Sequence, residues 1–307
     1  MEKFVIKNIL NVTIVATIIF LTFAISNAHE SENTNSDNKE TQADKRKRER
    51  EEEDNKIMEY VKTINSNPED VDAHFNLGII YDKRRRLNDA VTEYQKAIKL
   101  KHDFTDARMK LALMYAGNQM YGESISELKE ILEYDPENVN AYKHIGIAYF
   151  KTGFLQQAVD ETKKALEISP NDAELHLSLE NVYHSMGLYD DAVAELKKAI
   201  KLDPKYKEAY NNLGFIYYEQ GKFDDAIKQF ETAIGIDPKS VEAYSNIGLI
   251  YCEKGMFDEA ITILKKATEI NPNFPDAHNN LGYAYFNKGN KEKAMREVSI
   301  YKQLIGR

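Results

Sequence analysis

The sequence predicts an all-α solenoid, a stack of short helical hairpins. Three observations predict it. A tyrosine recurs every 34 residues without a slip, at Tyr81, Tyr115, Tyr149, Tyr183, Tyr217, Tyr251 and Tyr285. Six of the 7 prolines keep the same phase, at Pro68, Pro136, Pro170, Pro204, Pro238 and Pro272, and His102 is the one break in that series. Within each period, apolar residues fall at helical spacing on both sides of a short turn. Self-similarity at a fixed period of this size means a stack of small units rather than one globular core. Such a stack presents a long surface and no enclosed catalytic pocket.

Residues 1–28 are foreign to the repeat. Lys3 and Lys7 precede an apolar stretch from Ile9 to Ile25, and Ser26, Asn27 and Ala28 follow where a signal peptidase would cut. The pattern predicts a cleaved secretory signal. An uncleaved membrane anchor is the other reading, because the stretch is long for a signal and slightly short for a span. Either one exports the repeats or anchors them at the cell envelope, on the extracytoplasmic side. Lys45, Arg46, Lys47, Arg48 and Arg50 oppose that orientation under the positive-inside rule, but from some distance. Residues 29–55 hold almost no apolar side chain and are predicted to be a disordered charged linker. Inside it Lys45 stands four before Glu49 and Arg48 four before Glu52; basic-before-acidic is the weaker helical order. Residues 56–70 form a capping helix in this reading, with Ile57, Tyr60, Val61 and Ile64 shielding the first repeat.

From Val71 the register is unbroken. An amphipathic segment such as Val241 to Lys254 opens each unit. Gly153, Gly187, Gly221, Gly255 and Gly289 follow where a left-handed residue ends a helix. Asp190, Asp224 and Asp258 are placed to cap the next helix. That helix runs to the proline, which it cannot pass.

These residues resemble the tetratricopeptide repeat (TPR). Residues 207–240 carry the pattern in full: Tyr210, Leu213, Gly214, Tyr217, Gly221, Ala226, Phe230, Ala233 and Pro238. The resemblance implies a right-handed superhelical solenoid of seven units, at 71–104, 105–138, 139–172, 173–206, 207–240, 241–274 and 275–307. It also implies a protein–protein interaction scaffold whose ligands lie against the first helix of each unit. Gly78, Gly146, Gly214, Gly248 and Gly282 mark where the two helices of a unit press together, with Ala90, Ala158, Ala192, Ala226, Ala260 and Ala294 opposite. Glu180 breaks that series; a charge there either reaches water or splays the stack, and makes this junction the weakest. In unit seven Tyr301, Ile300, Leu304 and Ile305 have no eighth unit over them. They either fold over the open end as a cap or pair with another copy.

Composition narrows the partner. Asp and Glu number 50 against 41 Lys and Arg, a formal charge of -9, which argues against nucleic acid. Cys252 is the only cysteine, so no internal disulfide and no cysteine-based zinc site can form. No phosphate loop or nucleophile elbow is present, no catalytic residue is assigned, and no cofactor is expected. His74, His176 and His278 replace the aromatic of the first helix and read as packing. His144 and His184 lie on facing units, but two histidines without a third ligand do not make a zinc site, and no metal is expected.

The candidate site is a groove in units five to seven. The residue before the Leu-Gly pair is Asn76, Lys110, His144, Ser178, Asn212, Asn246 and Asn280 in turn. Three amides one repeat apart can hold the backbone of an extended peptide, since an amide both donates and accepts. The arrangement looks like the asparagine ladder of the O-GlcNAc transferase superhelix, departing from it at Lys110, His144 and Ser178. Phe215, Tyr218, Tyr283 and Phe286 supply apolar area. Glu219 and Glu253 border it, with Glu208, Glu242 and Asp276, favouring a neutral or basic protein or peptide. The family's carboxylate clamp needs Asn four residues after a Lys; Lys143 is followed there by Ile147, so that mode is rejected. Membrane contact is expected only through the N-terminal segment, and self-association only through the C-terminal end. A non-catalytic accessory subunit of an envelope enzyme and a self-assembling scaffold are the alternatives.

Overall fold

A computed structural model describes residues 41–306, and the apolar stretch at Ile9–Ile25 lies outside them. Among the described residues there are 15 helices and no strand. The first, α1, spans Gln42–Ser66. Seven hairpins follow: α2 (Val71–Lys83) with α3 (Leu87–Leu100), α4 (Thr105–Gly117) with α5 (Tyr121–Tyr134), α6 (Val139–Lys151) with α7 (Leu155–Ile168), α8 (Ala173–Ser185) with α9 (Tyr189–Leu202), α10 (Lys207–Glu219) with α11 (Phe223–Ile236), α12 (Val241–Glu253) with α13 (Phe257–Ile270), and α14 (Pro275–Asn287) with α15 (Lys291–Ile305). These are the seven expected repeats, each with a first helix A and a second helix B. No described helix is long and apolar enough to cross a membrane.

The turn chemistry follows the sequence. Gly153, Gly187, Gly221, Gly255 and Gly289 take φ values between +71° and +80°, and Arg85 and Gln119 hold the same place in repeats one and two at +57° and +61°. Asp190, Asp224 and Asp258 do not cap. The caps of α9, α11 and α13 are Leu188, Lys222 and Met256, so each aspartate falls in the first turn. There it faces the helix dipole, and Asp224 and Asp258 also meet Lys254 (2.8 Å) and Lys288 (2.7 Å) of the next repeat.

Helices A and B of a repeat approach closely at the predicted glycines. A Cβ on Gly248 would lie 2.3 Å from Leu264 Cγ, on Gly78 2.7 Å from Tyr94 Cε1, and on Gly214 2.8 Å from Phe230 Cε1. The facing alanines Ala90, Ala158, Ala192, Ala226 and Ala260 are fully buried. The core is therefore a chain of clusters, each joining neighbouring repeats. Ala226, Phe230 and Ala233 of α11, for example, pack with Ala243, Ile247 and Ile250 of α12.

The histidines in the aromatic place are buried as expected, and each is tied at both ends of its ring. Nδ1 of His74, His176 and His278 meets Glu93, Glu195 and Glu297 at 2.5, 2.6 and 2.7 Å. Nε2 of each reaches the carbonyl of Pro68, Pro170 or Pro272. Arg108 does the same work in repeat two, bonding the His102 carbonyl and Glu127.

Two expectations at the ends change. Residues 42–55 belong to α1 and are helical, not a disordered linker, and 29–40 lie outside the described residues. Lys47–Glu51 and Arg48–Glu52 pair one turn apart along that helix, at 4.0 and 3.8 Å; the i,i+4 support offsets the lack of apolar residues. In residues 56–66, Ile57, Tyr60 and Ile64 are half-buried while Val61 is exposed, so the covering stripe is narrower than predicted. In α15 only Ala294 is buried; Tyr301 and Leu304 are half-covered and Ile305 is exposed.

If the glycine contact sets helix spacing, Gly248→Ala should lower stability by about 1–3 kcal/mol through overpacking. Gly235→Ala, which meets nothing within 4 Å, should instead raise it by about 0.5–1 kcal/mol. Urea unfolding of the two variants measures both.

Candidate functional site

The candidate residues lie on the A helices α10, α12 and α14, and the structure separates them into two kinds. Asn212 is occupied. Its Nδ2 donates to Glu180 Oε2 of α8 at 2.8 Å. Glu180 is only 2% exposed, so its carboxyl does not reach water; the Asn212 amide satisfies it instead. Burial pushes its carboxyl up to about 7, with the Asn212 bond and nearby His184 acting the other way. The ladder therefore loses its first rung to an inter-repeat bond. Asn246 and Asn280 remain half-buried, and their side-chain amides have no protein partner among the described residues. Elsewhere in this register, Asn76 and Ser178 bond back to carbonyls of their own helices, those of Asp72 and Glu174.

The aromatics divide in the same way. Phe215 and Tyr218 are half-buried in a ring chain that runs Tyr189, His184, Phe215, Tyr218, Phe223 with centroids 5.7 to 6.1 Å apart. They stack repeat four on repeat five and offer little free surface. Tyr283 and Phe286 are open, at 51% and 59% exposure. Glu219 and Glu253 stand at the rim, each held by the preceding repeat: His184 Nε2 meets Glu219 Oε2 at 2.6 Å, and Tyr218 Oη donates to Glu253 Oε1 at 2.5 Å. The Glu219 bond raises the His184 pKa, with burial opposing it. Burial and then the Glu253 bond push the Tyr218 hydroxyl upward, so it stays a donor at neutral pH.

What remains open on these helices is a smaller set: two amides at Asn246 and Asn280, and two exposed rings at Phe286 and at Tyr283, which stands edge-on to Phe257 with centroids 6.4 Å apart. Family models of the tetratricopeptide repeat match residues 71–104 and 109–173, and a TPR-repeat model matches 181–221, 216–255 and 248–289. The chain belongs to the tetratricopeptide-repeat family. No curated protein matches it. A crystal structure of MamA is 31% identical over 53% of this chain and 95% of that one, with a TM-score of 0.49. The crystal structure of YrrB, described as a TPR protein with an unusual peptide-binding site, is 23% identical over 60% of this chain and 95% of its own, at a TM-score of 0.50. Yeast Tom70 is 19% identical over 90% of this chain and 63% of its own, at 0.61. TPR proteins are generally non-catalytic scaffolds that bind proteins or peptides.

Within this TPR stack the remaining candidates fall into place. Lys143 forms a 2.7 Å ion pair with Glu174 of the next A helix, so it is committed within the protein. His144 is held below its usual pKa by burial and then by Lys143, while His184 turns to α10 rather than to His144. Cys252 is buried, its Sγ 3.8 Å from the Asn280 carbonyl, and burial pushes its thiol up to about 11, which leaves it unreactive. Sequence reasoning missed the Glu180–Asn212 bond because the two residues lie 32 positions apart. The signal was present, since a carboxylate at a glycine place needs a donor one repeat on.

The division has a stability signature. Asn212→Ala should destabilise the chain by about 1–3 kcal/mol by stranding the Glu180 carboxylate. Asn246→Ala and Asn280→Ala should each stay within about 0.5 kcal/mol of the parent, as free surface groups do. Denaturant midpoints of the three variants decide it.

Proposed function

We propose that this TPR protein is an interaction scaffold that binds an extended or helical peptide segment against the A helices of repeats six and seven. Asn246 and Asn280 hold the segment's backbone, and Tyr283 and Phe286 pack on its side chains. The observation that carries the reading is the pair of unpartnered amides on α12 and α14, with two exposed rings on α14. Each amide can both donate and accept, so the pair grips a backbone without reading its sequence. The acidic residues Glu208, Glu242 and Asp276 favour a neutral or basic partner. Asn212, Phe215, Tyr218, Glu219 and Glu253 serve the same face by fixing repeat five to its neighbours.

The apolar N-terminal segment, outside the described residues, supports export or anchoring at the cell envelope, with the repeats extracytoplasmic. Self-association through α15 is the second reading, and the exposure of Met295 (74%) and Ile305 (58%) at the last helix favours it.

The test is a pull-down from membrane fractions with the parent chain and with an Asn246→Ala, Asn280→Ala double variant as baits. A partner whose affinity drops by about 1–3 kcal/mol for the double variant supports the groove. A partner retained equally by both, or lost only on removing the end of α15, contradicts it.

A further inference from the structure

One contact in the stack is unlike the others. At the place where A meets B, the repeats carry Gly78, Ala112, Gly146, Glu180, Gly214, Gly248 and Gly282. Repeat four alone puts an ionisable group there, and that group is almost completely buried. Its one hydrogen bond among the described residues, to Asn212, crosses from α8 to α10. One turn along α8, His184 crosses the same boundary to Glu219. Its ring stands edge-on to Phe215 of α10, 5.9 Å between centroids. Two polar bonds and one ring contact thus tie repeats four and five, and each bond involves a group that can gain or lose a proton.

We propose that the boundary between repeats four and five is a proton-operated joint. With Glu180 neutral and His184 charged, α8 and α10 are locked together. Loss of the two protons leaves a buried charge inside the contact, held only by the Asn212 amide, and removes the charge from His184 in its bond to Glu219. The joint then loosens, and repeats one to four turn more freely against repeats five to seven. The face that carries Asn246 and Asn280 changes its relation to the rest of the stack.

The charges on the helices packed against α8 have other partners. From α7, Lys163 stands over the Tyr183 ring of α8, 5.8 Å from its centroid. From α6, Lys143 faces Glu174 of α8, and the two neutralise each other; His144 beside them is pushed toward its neutral form by burial. From α9, Glu195 is bound to His176 of α8 and to Lys198 of its own helix. From α10 and its approach, Lys207 is paired with Asp237, Glu208 is exposed, and burial pushes the Tyr206 hydroxyl up to about 12, so it stays neutral. His184 is the charged group that acts on Glu180 directly.

Both groups act with one sign. The unfolded Glu180 carboxyl ionises near 4.5, but the folded one keeps its proton to about 7. Across that window the folded state binds more protons, so stability falls as pH rises and levels off above it. The folded His184 is raised above the ordinary imidazole value of 6.5. Its contribution is complete below that value and is lost as pH rises through the folded pKa.

Hydrogen exchange of the full chain at pH 6 and pH 8.5, corrected for the intrinsic rate, tests the joint. The expected result is a loss of protection of about tenfold or more in α8 and α10 relative to α4 and α12 at the higher pH. Glu180→Gln keeps an acceptor for Asn212 without a charge, and it should remove most of that difference. The parent chain supplies a second readout, the carbon-13 titration of the Glu180 carboxyl, which should have a midpoint well above the ordinary carboxylate value. Uniform protection loss along the stack, an unchanged difference in Glu180→Gln, or a carboxyl midpoint at the ordinary value would each overturn the proposal.

Discussion

The close approach of the two helices within a repeat is the constraint on which everything else rests. It puts a residue with no side chain, or almost none, at one place in six of the seven A helices, the exception being Glu180. Gly248, Gly214 and Gly78 meet the side chains of Leu264, Phe230 and Tyr94 at distances that leave no room for a methyl group. Once that spacing is set, the facing alanine and the large B-helix side chain fill the gap, and the outer face of B is left for the next repeat. The 34-residue phase is the sequence-level image of this geometry. The A helices, brought side by side, then form the face on which the free asparagines stand.

The histidine substitutions in this apolar scheme come with built-in partners. A histidine in the aromatic place is matched by a glutamate 19 residues on and a proline carbonyl six residues back, in repeats one, four and seven. A buried polar group without a partner is costly, so each such change has its donor or acceptor built into the next helix. Glu180 follows the same logic across a repeat boundary instead of within one. That makes it sensitive to protonation, where Gly and Ala in the same place are not.

Periodicity made the fold legible. Seven hairpins, their boundaries, the left-handed glycines and the close-contact glycines all follow from residue spacing, because each repeat meets only its neighbours. The charged segment at 42–55 was misjudged because its composition lacks apolar residues, while its four-residue charge spacing supports a helix. The candidate site was legible only in part. Asn212, Asn246 and Asn280 are equivalent in the sequence, and only a residue in the preceding repeat tells them apart. Phe215 and Tyr218 likewise share a register with Tyr283 and Cys252, and what buries them is the ring of His184 on one side and Phe223 on the other. Side chains that reach across a repeat boundary have no fixed sequence signature, and these decide which groups stay free.

The central claim is that each repeat is held by its own close contact between helices A and B and by its nearest neighbours alone. Hydrogen exchange along the full chain carrying Gly78→Val tests it most directly. A side chain there clashes with Tyr94 in repeat one, so protection should fall in α2, α3 and α4 and stay at the parent level in α12 to α15. An equal loss of protection from repeat one to repeat seven would mean a single cooperative core, and would contradict the account.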